Sequence, residues 1–135
     1  MEKKTNQKKD KGSFINLVIA YFAGVDSEDQ IQIDATMHKD CIFSVETHGV
    51  RLDNRNDIHA MFHRLWQNHA SVLHDQFIFT VDPDQNRITA QFRVLNTHHD
   101  GSETIKSNCN VFTIKDEKFS QINVYMTGEN TLDKS

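Results

Sequence analysis

The chain has 135 residues, a formal net charge of −4 and a pI near 6.0. That length suits one domain with a single core, and the acidic balance argues against a nucleic-acid footprint, which needs a basic face. No apolar run approaches the roughly 18 residues of a membrane span, and no apolar h-region follows Met1 directly, so neither a membrane anchor nor a secretory leader is expected.

Residues 1–12 carry the one basic run, Lys3, Lys4, Lys8, Lys9 and Lys11, which is diluted by Glu2 and Asp10 and lacks apolar periodicity. It reads as a solvated leader, before a single domain over 13–130 and a short tail over 131–135. Ser13 is placed to cap a first helix in which Phe14, Leu17, Val18, Tyr21 and Phe22 recur at helical spacing. Gly24 suits the left-handed residue that ends such a helix. Ser27 followed by Gln30 has capping-box spacing for a second, shorter helix through about Met37. Cys41–Val45 reads as a strand, with a turn at His48-Gly49 before Val50-Arg51-Leu52.

Asn54 or Asp53 caps a third helix whose Ile58, Met61, Phe62, Leu65 and Trp66 form an unbroken apolar face. Beyond it the period changes. Four β-rich runs, 74–81, 87–99, 102–115 and 118–126, are separated by Asp82-Pro83-Asp84, Asp100-Gly101 and Asp116-Glu117. Three helices followed mostly by an antiparallel meander is an α+β arrangement, with the helices packed on one sheet face. Across the Asp100-Gly101 turn, a three-residue loop centred on Gly101 sets Ile88 opposite Ile114, Ala90 opposite Phe112 and Val94 opposite Asn108. A two-residue loop would put Phe112 on the outer face, so core matching favours the first register. The inner face is then apolar at one end and polar at the other, where Asn96, His98, Asn108 and Asn110 lie.

Asp26 stands just past a buried helix end, and a carboxylate is rarely buried without a partner. It either caps the second helix or meets a downstream polar group such as His74. In the second case the carboxylate would fix the imidazole tautomer and leave the other ring nitrogen as a general base. His59 and His63 have the i, i+4 spacing that can grip a metal, but position 60 is Ala60, HExxH is absent and no acid or cysteine pattern completes a site. No metal and no cofactor are expected. Cys41 and Cys109 lack CxxC spacing and read as buried thiols in a reducing cytoplasm.

The order of elements, the segment from Tyr21 to Asp29, the strand after Asp40-Cys41 and the closing Asn110-Val111-Phe112 and Val124-Tyr125-Met126 resemble the nuclear transport factor 2-like superfamily. The nearest resemblance is to its SnoaL-like and scytalone dehydratase-like small proteins, over about residues 13–130. It implies a curved antiparallel sheet wrapped around three helices as a cone with a central pocket, and dimerisation through the sheet. It also implies roles: Asp26 and His74 as the catalytic pair, with Tyr21, Asn96, His98, Asn108 and Asn110 as substrate-binding groups. Asn96 falls nearest a second histidine of the dehydratases. For the ketosteroid isomerases of the superfamily, Tyr21 sits at the hydrogen-bonding tyrosine, but the base aspartate aligns near Val45 and alternation turns the adjacent Glu46 to the opposite face.

Two functions are therefore expected in competition. One is a cofactor-free lyase, isomerase or cyclase acting on a small, largely apolar, ring-bearing molecule. The other is a module of the same fold that binds a ligand or protein without chemistry. Strict alternation from His74 turns Phe77, Phe79 and Val81 outward, alongside Ile122, Val124, Met126 and Val111, and predicts a homodimer packed sheet to sheet. A bulge in that strand would instead send the phenylalanines into the core.

Overall fold

The structure, a computed structural model, describes residues 10–132; most of the lysine-rich leader and the last three tail residues lie outside that range. Phe14, Val18, Tyr21, Phe22 and Val25 are buried along one side of α1 (Lys11–Asp26), the stripe that its periodicity predicts. Asp10, not Ser13, is its N-cap. The Asp10 carboxylate accepts from the Gly12 N–H at 2.9 Å, and Ser13 donates to the Asp10 carbonyl; a negative charge also suits the positive end of the helix dipole.

Gly24 does not end α1 but lies inside it, buried against α2 (Gln30–Thr36). A Cβ there would stand 2.9 Å from Ile33 Cγ1 and 3.2 Å from the Ile33 nitrogen, so the bare Cα is what lets the two helices close. The left-handed residue is Glu28, at φ 57°. Ser27 belongs to the end of α1, its Oγ donating to the Ala23 carbonyl at 2.7 Å. Asp29 caps α2 in its place, accepting from the Gln32 N–H at 3.1 Å.

The strands are β1 (Met37–Val45), β2 (Val50–Leu52), β3 (Ser71–Asp82), β4 (Arg87–Thr97), β5 (Glu103–Lys115) and β6 (Lys118–Tyr125), with α3 (Arg55–Gln67) between β2 and β3. Asn54 caps α3, accepting from the Asp57 N–H at 2.9 Å. The sheet order is β2-β1-β6-β5-β4-β3. β3 to β6 form the expected antiparallel meander, but β1 lies parallel to β6, which makes the sheet mixed. A parallel pair needs a long crossover, and α3 with the whole meander supplies it. The fold is α+β, with the helices against one face of a six-stranded sheet.

Two registers differ from expectation. In the β4–β5 hairpin Ile88 faces Phe112, Ala90 faces Asn110 and Phe92 faces Asn108, a displacement of two residues from the expected pairing. The loop is wider than three residues, held by His98 N–H to the Ser102 carbonyl and Gly101 N–H to the His98 carbonyl. A shift of two keeps every side chain on its face, so the polar end of the inner face survives. In β3 the ladder shifts between Asp75 and Ile78, with Gln76 at φ 57°. That bulge reverses the alternation. Phe77, Phe79 and Val81 pack against the core instead of outward, and Ile122, Val124 and Met126 are buried as well. The outer face instead exposes Leu73, Ile78, Ile105 and Tyr125.

Candidate functional site

Tertiary packing at the end of α1 builds the site. The Trp66 indole N–H donates to the Val25 carbonyl at 3.0 Å, tying α3 to the last turn of α1. The next residue, Asp26, turns both carboxylate oxygens toward β3. Oδ2 accepts from the His74 backbone N–H at 2.9 Å, and Oδ1 meets His74 Nδ1 at 2.5 Å. Asp26 therefore does not cap α2; it clamps His74 from both its backbone and its ring. His74 lies just before the bulge, and its ring packs against Phe22 at 4.6 Å and Phe92 at 5.4 Å between centroids. Side-chain exposures of 10% for His74 and 19% for Asp26 keep the pair largely out of water.

A carboxylate can only accept, so Nδ1 carries a proton, and in the neutral ring Nε2 keeps its lone pair. This is the arrangement that makes an imidazole a general base. Tyr21, also in the pocket lining, is buried among aromatic edges. Burial, and then the neighbouring Cys41 and Asp26, push its phenol well above the ordinary range, so it remains a neutral donor.

The amides complete the polar end. Asn96 is 1% exposed and neither its Nδ2 nor its Oδ1 has a protein partner; Asn110 is 3% exposed and its Oδ1 has none. Buried polar atoms are almost always paired, so these three atoms face the pocket as unused recognition groups. Asn108 is half-buried, lines the same pocket and accepts from the Thr127 N–H at 3.2 Å. His98 is placed elsewhere. Its Nε2 pairs with Thr104 Oγ1 at 2.7 Å, beside His69, in a groove just outside the pocket.

Phe22, Phe43, Phe62, Leu65, Phe92 and Val94 supply apolar walls, and Thr131 and Leu132 of the C-terminal segment cover the mouth. The pocket measures about 40 Å³, room for about three waters, so a ring-bearing ligand requires the pocket to widen. Sequence reasoning missed this cover, and it missed Lys106, which is 6% exposed and shares the inner face of β5 with Asn108 and Asn110. Counting two residues back from Asn108 finds it.

Other acids and histidines have local duties. His59 Nε2 pairs with the Asp34 carboxylate at 2.9 and 3.0 Å, and Arg55 approaches the same carboxylate. No group of three or more potential metal ligands occurs among the described residues. Glu46 is exposed and accepts from Ser44 Oγ at 2.5 Å, while Val45 takes the buried position beside it. His74 therefore lines the pocket with Asp26 held behind it, and Val45 stands at the isomerase position.

Residues 9–117 match the SnoaL-like domain family. Among solved structures, a candidate polyketide cyclase of Xanthomonas campestris pv. campestris superposes with a TM-score of 0.78 at 16% identity, covering 85% of this chain and 90% of that one. TerC, co-crystallised with polyporic acid, superposes at 0.73 and 15% identity, covering 83% and 89%. An NTF2-like protein of Burkholderia xenovorans LB400 does so at 0.72 and 12% identity, covering 91% and 93%. At these identities the likeness is one of fold. No curated protein matches.

Proposed function

The chain belongs to the SnoaL-like domain family, and on that premise we propose that its pocket performs cofactor-free general acid–base chemistry on a small, largely apolar, ring-bearing carbonyl compound. The observation that carries this is the double hold of Asp26 on His74, with Nδ1 at 2.5 Å, behind an imidazole that lines an apolar pocket. In the proposed step His74 Nε2 removes a proton from the carbon next to the carbonyl, and the bond electrons pass into an enolate. Tyr21 and the amide N–H group of Asn96 donate to the enolate oxygen, where charge develops. The imidazolium, stabilised by Asp26, returns the proton to a departing hydroxyl in a dehydration, to another carbon in an isomerisation, or, in an aldol cyclisation, to the alkoxide oxygen left when the enolate carbon bonds to a second carbonyl carbon of the substrate. Each well-placed group of this kind contributes about 10²–10⁴-fold. A fold neighbour crystallised with polyporic acid and another described as a candidate polyketide cyclase support a cyclic substrate.

The test is proton exchange in D₂O across a panel of cyclic β-hydroxyketones, followed by NMR. Wild type is expected to exchange the proton next to the carbonyl of at least one member, and His74→Ala to lose that exchange while keeping its melting temperature within a few degrees. Equal exchange by His74→Ala defeats the catalytic assignment.

The second reading is a binding module without chemistry. What favours it is Asn96, a non-titrating amide in a pocket lined by a single histidine among the described residues. Ligand binding with no exchange by wild type is its signature.

We also propose a two-fold homodimer through the outer sheet face. The bulge in β3 sets its surface: Leu73, Ile78, Ile105 and Tyr125 would form the apolar contact, with the Arg93–Asp75 pair at 2.6–2.8 Å among them.

A further inference from the structure

The inner face of β5 does not stop at its asparagines. Lys106 follows on the same face, opposite Val94, and is 6% exposed. A buried ammonium is costly unless it meets a negative group. Its Nζ donates to the backbone carbonyl of Glu129 and lies 3.9 Å from the Met126 thioether, a weak acceptor. An ammonium has three donors, and neither contact neutralises its charge. Burial pulls the lysine below its ordinary range, and the Glu129 carboxylate partly offsets this.

Two imidazoles line the same groove as the lysine. His69 is 5% exposed, and its Nδ1 donates to the Leu65 carbonyl at 2.7 Å, which fixes the ring against the end of α3. His98 lies 5.4 Å from His69, ring to ring. With Thr104, these groups line a groove of about 710 Å³ beneath the segment that covers the pocket. Groove and pocket adjoin: Thr131 lines both, and Asn96 of the pocket pairs across the ladder with Thr104 of the groove.

We propose that Lys106, beside His98 in this groove, forms a recognition subsite for an acidic group, a carboxylate, carried by the ligand whose ring fills the interior pocket. The proposal rests on the reading of that pocket as a small-molecule site, and it adds the substrate class: a ring compound bearing an anion at one end. Binding would draw the lysine from the Glu129 carbonyl to the carboxylate, and so loosen the segment that covers the mouth.

The experiment compares 1-naphthoate with its neutral amide, 1-naphthamide, by NMR titration of the full chain. A charge-assisted hydrogen bond in a desolvated site favours the acid roughly tenfold or more. In Lys106→Met, which keeps the apolar stem, that preference is expected to vanish while naphthamide affinity stays unchanged; Lys106→Arg is expected to keep it. Equal wild-type affinities overturn the subsite without any variant, as does a preference that survives in Lys106→Met. If both compounds shift the amide signals of Phe22 and Val94 equally, the subsite falls and the pocket stands. If neither compound shifts them, both readings fall.

Discussion

Replacing Asp26 by Asn tests the central geometry without a known substrate. The carboxylate accepts two bonds from one residue, 2.9 Å from the His74 backbone N–H and 2.5 Å from Nδ1, in surroundings only 10–19% exposed. The backbone N–H can only donate, so the one remaining amide oxygen stays with it. The new NH₂ then faces Nδ1, which must accept, and the imidazole proton moves to Nε2. Hydrogen bonds to charged groups contribute about 1.5–3 kcal/mol each; because the amide keeps weaker versions of both, the expected net loss is about 1–3 kcal/mol by urea denaturation. Long-range ¹H–¹⁵N correlation of the ring should find Nδ1 protonated in wild type and Nε2 protonated in Asp26→Asn. On any substrate that wild type turns over, the wrong tautomer removes the base and should lower kcat about 10²–10⁴-fold. An Nε2-protonated ring in wild type, or an unchanged tautomer in the variant, refutes the reasoning.

Gly24→Ala should destabilise by about 1–3 kcal/mol, because overpacking against Ile33 at 2.9 Å outweighs the roughly 1 kcal/mol helix-propensity gain; a more stable variant in thermal melts would contradict the close helix approach. Burial pushes the Cys41 thiol from 9.0 up to about 12. A raised folded pKa contributes stability that is present below pH 9 and lost as pH rises toward 12. Stability should therefore fall above pH 9 by as much as about 1.4 kcal/mol per unit from this group. Cys41→Val should flatten the slope between pH 9 and 10, before Tyr21 adds to it, and an unaltered slope would refute this. Sedimentation at micromolar concentration should give a dimer, and Cys109, which lines the outer groove, should alkylate more slowly as protein concentration rises. A clean 15.6 kDa species with concentration-independent alkylation would defeat the sheet-to-sheet dimer.

Period and parity were legible in the chain alone. The apolar stripe from Phe14 to Phe22, the α3 face from Ile58 to Leu65, and the placement of Asn96, Asn108 and Asn110 on one sheet face follow from side-chain directions that repeat every 3.6 or 2 residues. The family resemblance brought Asp26 toward His74 across 48 positions of sequence, a contact that no local pattern encodes. Competing caps were harder: Asp10, Ser13, Ser27 and Asp29 have similar intrinsic capping strength, so packing of α1 on α2 decided among them. Alternation cannot detect a hairpin shifted by two residues, since every side chain stays on its face. It fails outright at Gln76, where one bulge turned Phe77 and Phe79 from a supposed surface into core. The parallel pairing of β1 with β6, the cover of residues 131 and 132 over the pocket, and the groove that Lys106, His69 and His98 line together join segments far apart in sequence. The energies that favour them arise only once the core is packed, and so the tertiary structure alone decided them.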